Sequence, residues 1–325
     1  MAAAWLGGII VDLLSYSAHP QTAGRPLPSA TARVTETTIT RDGRTLAFCQ
    51  WGEPSGSPVF SLHGTPGSRL GRHPDENVYR VAGVRAITYD RPGYGASTRH
   101  AGRRVADAAA DVAAIADALG VGRFSVFGGS GGAPHALACG ALLSDRVIRC
   151  ASVVGPAPFG QDGLGPEDWF TGMVEGNVKE FGWALEGEET LRREMEPMAQ
   201  ELLASVHSDS ADALGADYKL SDQDAEVAHR ADIREMLATS WQEGIGRSID
   251  GIVDDDLAFT QPWGFAPGAI AVPTAVWYGP HDTLVPAGHG EWLSRTIPNA
   301  TAVQLDGGHF AIYDQMPDLL RWLTE

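Results

Sequence analysis

An α/β architecture, with a mostly parallel sheet covered by helices on both faces and an inserted helical domain, is predicted by three features of this 325-residue chain. Short apolar or β-branched runs alternate with helical spacing over residues 34–155 and again over 262–325, the pattern of strands joined by crossover helices. The stretch from Phe124 to Leu143, FSVFGGSGGAPHALACGALL, passes from a β-prone run through small residues into an Ala-rich segment, which reads as strand, tight turn, helix. Between Pro166 and about Phe259 the alternation stops, and helical segments rich in Glu and Asp take its place.

Taken in order, residues 1–33 read as a loosely held extension. Their apolar start, MAAAWLGGIIVDLL, has no Lys or Arg before Arg25, is interrupted by Asp12 and is too short for a membrane span, so neither a signal peptide nor a stable membrane insertion is expected; an overlong start-codon assignment and an interfacial anchor are the other readings. Val34–Thr40 and Thr45–Trp51 are strands joined through Asp42-Gly43, a hairpin signal. Val59–Leu62, a short buried strand, runs into His63, Gly64, Thr65, Pro66 and Gly67, and Val84–Tyr89 runs into Asp90, Arg91, Pro92, Gly93, Tyr94 and Gly95. Val105, Val112, Ile115 and Leu119 stand at helical spacing, with Gly120 as a stop. After the strand Phe124–Phe127 and its helix come the strand Ala151–Val154, the helical insertion, the strand Thr274–Tyr278, a helix over Gly290–Thr296, the strand Thr301–Leu305 and a terminal helix.

The net charge of −17 is unevenly placed: 24 of the 41 acids but only 7 of the 24 bases lie within 156–261, and the rest of the chain is balanced. This distribution argues against nucleic acid or an anionic membrane as partner and reads as a solvated helical surface. Cys49, Cys139 and Cys150 form no CxxC and cannot all pair with one another, which fits a reducing, cytoplasmic compartment. No cluster has the spacing of a metal site, and no cofactor is expected.

The polar candidates fall where an open α/β sheet binds ligands, just beyond the carboxyl ends of its strands. Ser130 sits in Gly128-Gly129-Ser130-Gly131-Gly132, the G-x-S-x-G pattern of a nucleophile elbow, in which the serine takes a strained conformation and the following amide opens a helix. Asp282 follows the strand Thr274–Tyr278, and His309 follows the strand Thr301–Leu305. A serine hydroxyl needs a base to take its proton, and the base needs a carboxylate to fix its tautomer, so Ser130, His309 and Asp282 are the candidate catalytic residues. Asp306, although nearer to His309 in sequence, lies at a strand end and is expected to point elsewhere. His135 and Cys139 share one face of the helix after the elbow and read as packing.

In its serine–acid–histidine order, its HGTPGS loop and its DRPGYGAS segment the chain resembles the α/β-hydrolase fold superfamily from about Val34 to its C-terminus, and is least similar across the insertion. The resemblance implies an eight-stranded, mostly parallel sheet, a core of 34–155 and 262–325, and an acidic helical cap of 156–261. It implies an oxyanion hole of the backbone N–H groups of Thr65 and Gly131, with His63 and Gly64 as supporting loop and Asp90 and Arg91 as architecture. The serine nucleophile separates the chain from carboxylate-nucleophile dehalogenases and epoxide hydrolases. Proline iminopeptidase-like members are similar in HG-x-PG, DRPG and the helical cap, but typically read GGSWG and HGGPG, where Gly131 and Thr65 stand here.

Two catalytic readings therefore stand: a serine esterase acting on a small or medium acyl ester, and an aminopeptidase of the proline iminopeptidase type, whose amine recognition would call on Asp254, Asp255, Asp256 or Glu175. The Asp run itself reads as a solvated helix end. A ligand receptor or a biosynthetic isomerase or lyase on the same fold is the reading from another class. Gly129, Phe159, Trp169, Trp183, Trp241 and Trp263 are candidates for lining a substrate pocket, with packing as the alternative for the aromatics. The expected partner is a small-molecule substrate; the sequence carries no signal of oligomeric state.

Overall fold

The computed structural model describes residues 34–160, 163–205 and 219–325. The N-terminal extension predicted over 1–33 lies outside the described residues. The described residues form eight strands: β1 (Glu36–Ile39), β2 (Thr45–Gly52), β3 (Ser57–Leu62), β4 (Val84–Tyr89), β5 (Phe124–Gly129), β6 (Val147–Val153), β7 (Thr274–Tyr278) and β8 (Ala300–Gln304). They form one sheet in the order β1-β2-β4-β3-β5-β6-β7-β8. Pairings β1–β2 and β2–β4 are antiparallel and the other five are parallel, so the sheet is mostly parallel, as predicted.

The helices are α1 (Asn77–Val81), α2 (Ala108–Ala118), α3 (Ala133–Leu142), then α4 (Pro166–Phe170), α5 (Glu175–Glu186), α6 (Glu188–Ser205), α7 (Asp222–Ala228), α8 (Ala231–Ile245) and α9 (Asp250–Phe259) between β6 and β7, followed by α10 (Ala287–Thr296) and α11 (Ile312–Thr324). Period-two alternation sends successive strand residues to opposite faces of the sheet. Phe60, Val126, Cys150 and Val276 pack with Val112, Ile115, Leu137 and Leu293 of α2, α3 and α10. Val59, Phe127, Ala151 and Ala275 pack instead with Tyr79 of α1 and with Met316, Leu319, Leu320 and Leu323 of α11. The α11 residues recur at helical spacing, which is why that helix lies flat on the sheet.

Strand β6 begins at Val147, four residues before the predicted start. Ile148 is exposed and Arg149 half-buried with its guanidinium over the Trp322 ring, so this half of the strand lacks the apolar signature of a buried one. The helices of the insertion have a cluster of their own, in which Leu191, Met195, Ile245, Ile249 and Val253 surround Tyr94, a residue of the loop after β4. Ala258 and Phe259 at the end of α9 belong to the main core. Cys49, Cys139 and Cys150 are buried and unpaired. Among the described residues, no helix is long and apolar enough to cross a membrane.

Candidate active site

Ser130 stands where β5 turns into α3. Gly129 is still extended, at φ −99° and ψ 140°, and Ser130 then takes φ 52°, the left-handed region that a residue with a Cβ adopts at a cost of about 1–3 kcal/mol. Close approach holds it there. A Cβ on Gly128 would run into the Gly132 carbonyl, and one on Gly132 into the carbonyls of Leu62 and His63, so only glycines let the turn lie against the end of β3. Pro134 in the first turn of α3 favours helix initiation just beyond the serine. Ser130 and Gly129 are half-buried, and Gly131 is buried.

The loops after β7 and β8 bring Asp282 and His309 together. Asp282 accepts the amides of Leu284 at 2.9 Å and Val285 at 2.8 Å on Oδ1, and the His309 Nδ1–H at 2.7 Å on Oδ2. The carboxylate is thereby fixed before it orients the ring, and Nε2 of the neutral imidazole is left as acceptor. Burial opposes protonation of His309, but the charge and hydrogen bond of Asp282, together with the charge of Asp224, outweigh it and hold the pKa above the ordinary histidine value. Asp306 is exposed.

The loop after β3 is tied down by polar groups. His63 donates Nδ1–H to the Gly64 carbonyl at 2.7 Å and accepts the Arg91 amide on Nε2 at 3.2 Å. Burial and the nearby Arg91 charge push its pKa well down, so it is neutral. The Arg91 guanidinium donates to the carbonyls of His63 and Gly64 and, at 3.1 Å, to Thr65 Oγ1. Asp90 anchors the same region by accepting the Arg69 amide at 2.6 Å and the Ala96 amide at 3.0 Å. Thr65 and Gly131 are neighbours, since a Cβ on Gly131 would collide with Thr65 Oγ1. That contact explains the paired departure from GGSWG and HGGPG: the threonine fills the space that a side chain at 131 would need. His135 donates Nδ1–H to the Gly131 carbonyl at 2.9 Å and, like Cys139, is buried.

The Asp254–Asp256 run is not a solvated helix end: the three residues are 2%, 0% and 0% exposed. Arginines of the loops after β4 account for the first two. Asp254 pairs with Arg99 at 2.8 Å. Asp255 is the hub of a buried network, accepting from Arg91 and Arg103 at 2.6 Å, from Tyr94 Oη at 2.8 Å and from Thr65 Oγ1 at 2.7 Å. Although burial opposes its charge, the two guanidinium groups hold its pKa well below the carboxylate range. Asp256 has no such partner, and burial, then the charges of Glu180 and Asp255, push its pKa well up. Glu175 is mostly exposed and pairs with Lys179 at 2.9 Å.

The aromatic candidates fall in separate environments. Trp169 is fully buried, donates Nε1–H to the Ala157 carbonyl at 2.8 Å, and packs edge-on against half-buried Phe159 and against His289. Trp263 belongs to the main core, Trp183 borders the cluster of the insertion, and Trp241 is buried on α8. A cleft of about 390 Å³ lined by Arg103, Leu185, Glu188, Asp254 and Leu257 includes Asp254 but neither Ser130, Asp282 and His309 nor any of the aromatic candidates. Among the described residues, no group of three or more His, Cys, Asp or Glu is placed to hold a metal.

One contact at the site had not been predicted. Asp224 of α7 accepts the backbone amide of Phe310, the residue after His309, at 2.7 Å. The Ser221-x-x-Asp224 spacing marks a helix start, and Ser221 does cap α7, but nothing local in the sequence ties it to residue 309.

A family model described as alpha/beta hydrolase fold matches residues 57–315, so the chain belongs to that family. The proline iminopeptidase of Xanthomonas citri is 40% identical over 104 residues, or 30% of this chain and 32% of that protein. The proline iminopeptidase of Xylella fastidiosa strain 9a5c is 39% identical over 104 residues, with the same coverage of 30% and 32%. The chain thus spans 32% of the length of these curated relatives. The crystal structure of bromoperoxidase from Bacillus anthracis has a TM-score of 0.65 at 17% identity, covering 89% of this chain and 99% of that one, a likeness of fold.

Proposed function

We propose that this protein is a serine hydrolase that cleaves a small or medium carboxylic ester, with Ser130 as nucleophile, His309 as base and Asp282 as its orienting carboxylate. The observation that carries this reading is the 2.7 Å bond from His309 Nδ1 to an Asp282 carboxylate already held by two amides, on the sheet edge that also bears the left-handed Ser130. Ser130 Oγ attacks the ester carbonyl while His309 Nε2 takes its proton. The backbone N–H groups of Thr65 and Gly131 stabilise the tetrahedral oxyanion. Collapse expels the alcohol, which takes the proton from His309, and a water activated by the same imidazole releases the acid and frees Ser130. None of these steps calls for a cofactor. Residues 156–261 act as a cap over the core of 34–155 and 262–325, and the three unpaired thiols fit a cytoplasmic setting.

The names of the curated relatives favour a second reading, removal of an N-terminal proline. Weighing against it, three of the carboxylates considered for binding a free amino group are engaged elsewhere, Asp254 with Arg99, Asp255 with Arg91 and Arg103, and Glu175 with Lys179, while burial and the charges of Glu180 and Asp255 push the pKa of Asp256 up. Initial rates on p-nitrophenyl esters of increasing acyl length and on proline p-nitroanilide, with Ser130→Ala as blank, separate the two. Faster turnover of esters is expected; faster turnover of the prolyl anilide would overturn the ester assignment.

A further inference from the structure

We propose that Asp224, contributed by the helical insertion, is a positioning residue for His309, holding the peptide that follows the histidine and adding a second carboxylate to the imidazole's surroundings. The proposal rests on the catalytic reading of Ser130, His309 and Asp282 given above.

The geometry is specific. Asp224 is 1% exposed, yet it belongs to a helix of only seven residues, a poor place to bury a charge unless the charge has work there. Its Oδ1 accepts the Phe310 amide at 2.7 Å, and its Oδ2 accepts the Ser221 hydroxyl at 3.0 Å. The Asp224 amide in turn donates to Ser221 Oγ at 3.2 Å, so the side chain is pinned from both ends. The His309 loop is shaped to receive it. A Cβ on Gly308 would collide with the Asp224 carboxylate, and Gly307 next to it has φ 142°, so the two glycines before His309 let the loop close over the carboxylate.

Asp282 holds the imidazole by Nδ1, and Asp224 holds the backbone one residue further on. With both in place, the ring is held through Nδ1 and the backbone through the following peptide. A sub-ångström error in such a group costs far more in turnover than in binding. The charged groups acting on His309 are Asp282, from the loop after β7, and Asp224, from α7; both favour the imidazolium that forms as the serine is deprotonated.

The test uses the full chain and a short-acyl p-nitrophenyl ester, comparing Asp224→Ala, which removes both acceptors and the charge, with Asp224→Asn, which keeps an acceptor for the Phe310 amide, turns an NH2 towards the Ser221 hydroxyl and removes the charge. Asp224→Ala is expected to lower kcat about ten- to a hundredfold with KM changed less than about threefold. Asp224→Asn is expected to keep most of kcat at pH 8 while the acid limb of kcat/KM moves to lower pH. A residue that merely stiffens the fold would leave that limb in place. If Asp224→Ala fails to fold, Asp224→Asn decides alone: a displaced acid limb supports the proposal, and a wild-type pH profile with wild-type kcat overturns it. Ser130→Ala and His309→Ala are run alongside. Retained hydrolysis in those variants would sink the catalytic reading itself, whereas their loss together with silent Asp224 variants would sink only the role given to Asp224.

Discussion

Thr65 donates its side-chain hydroxyl to Asp255 at 2.7 Å, joining a loop at the end of β3 to helix α9 across 190 positions of sequence. The same carboxylate binds Arg91 and Arg103, and Arg91 also holds the carbonyls of His63 and Gly64. One buried acid therefore sets the loop that carries a proposed oxyanion donor.

Asp255→Ala leaves two buried guanidinium groups without their counter-charge. Breaking a buried pair from one side typically costs about 3–5 kcal/mol, and a loss of that size is expected in urea unfolding at pH 7. Because the folded-state pKa of Asp255 is depressed, its contribution is complete above the unfolded value of about 3.9 and fades only as pH falls through the folded one. The variant's deficit should thus persist at pH 4. A loss under about 1 kcal/mol would contradict the network's role.

Asp256 carries the opposite sign. Its pKa is raised, so the folded state holds a proton that the unfolded state releases above about pH 3.9, and the aspartate destabilises the fold increasingly as pH rises. Asp256→Asn removes that liability. Thermal scans should show a higher Tm than wild type at pH 8 and no difference near pH 3; a lower Tm at pH 8 would refute the assignment.

General-base action needs neutral His309, whose pKa is raised above the ordinary value of about 6.5. Activity on an ester should therefore decline below a limb lying above that pH. Asp282→Asn reverses the hydrogen-bonding sense at Nδ1 and favours the wrong tautomer, so kcat should fall on the order of 10⁴-fold with KM little changed. Stopped-rate assays over pH 5–9 give both quantities; an acid limb below about pH 6 would count against the pairing.

Gly131→Ala places a Cβ against Thr65 Oγ1 and Cβ, displacing one or both proposed oxyanion amides. Loss of one such donor is worth roughly 10²–10³ in kcat. Adding Thr65→Gly removes the obstructing side chain while keeping the amide at 65, and part of the activity should return. A double variant slower than Gly131→Ala would show that Thr65 and residue 131 do not compete for that space.

Much of this was legible along the chain, because strands and elbow announce themselves locally. The hairpin at Asp42-Gly43, the apolar run of β5 and the glycines around Ser130 each encode their conformation within a few residues. The first half of β6 is not legible in the sequence because exposed Ile148 and half-buried Arg149 break its apolar pattern. The Asp254–Asp256 run read as solvated because its partners, Arg91, Arg99 and Arg103, lie some 150 or more positions earlier. Asp224 escaped for the same reason, since its contact to Phe310 spans 86 positions. Local pattern reports what a side chain prefers, whereas a buried ion pair is settled by which loops the fold brings together.

The central claim, that Ser130 is the nucleophile, is tested most directly by a serine-directed fluorophosphonate. Wild-type protein should gain one adduct in intact mass, mapped to the peptide of Ser130, and lose ester hydrolysis in step with labelling. Ser130→Ala should neither label nor hydrolyse while retaining the wild-type Tm. An adduct on another residue, or hydrolysis that survives in Ser130→Ala, would contradict the account.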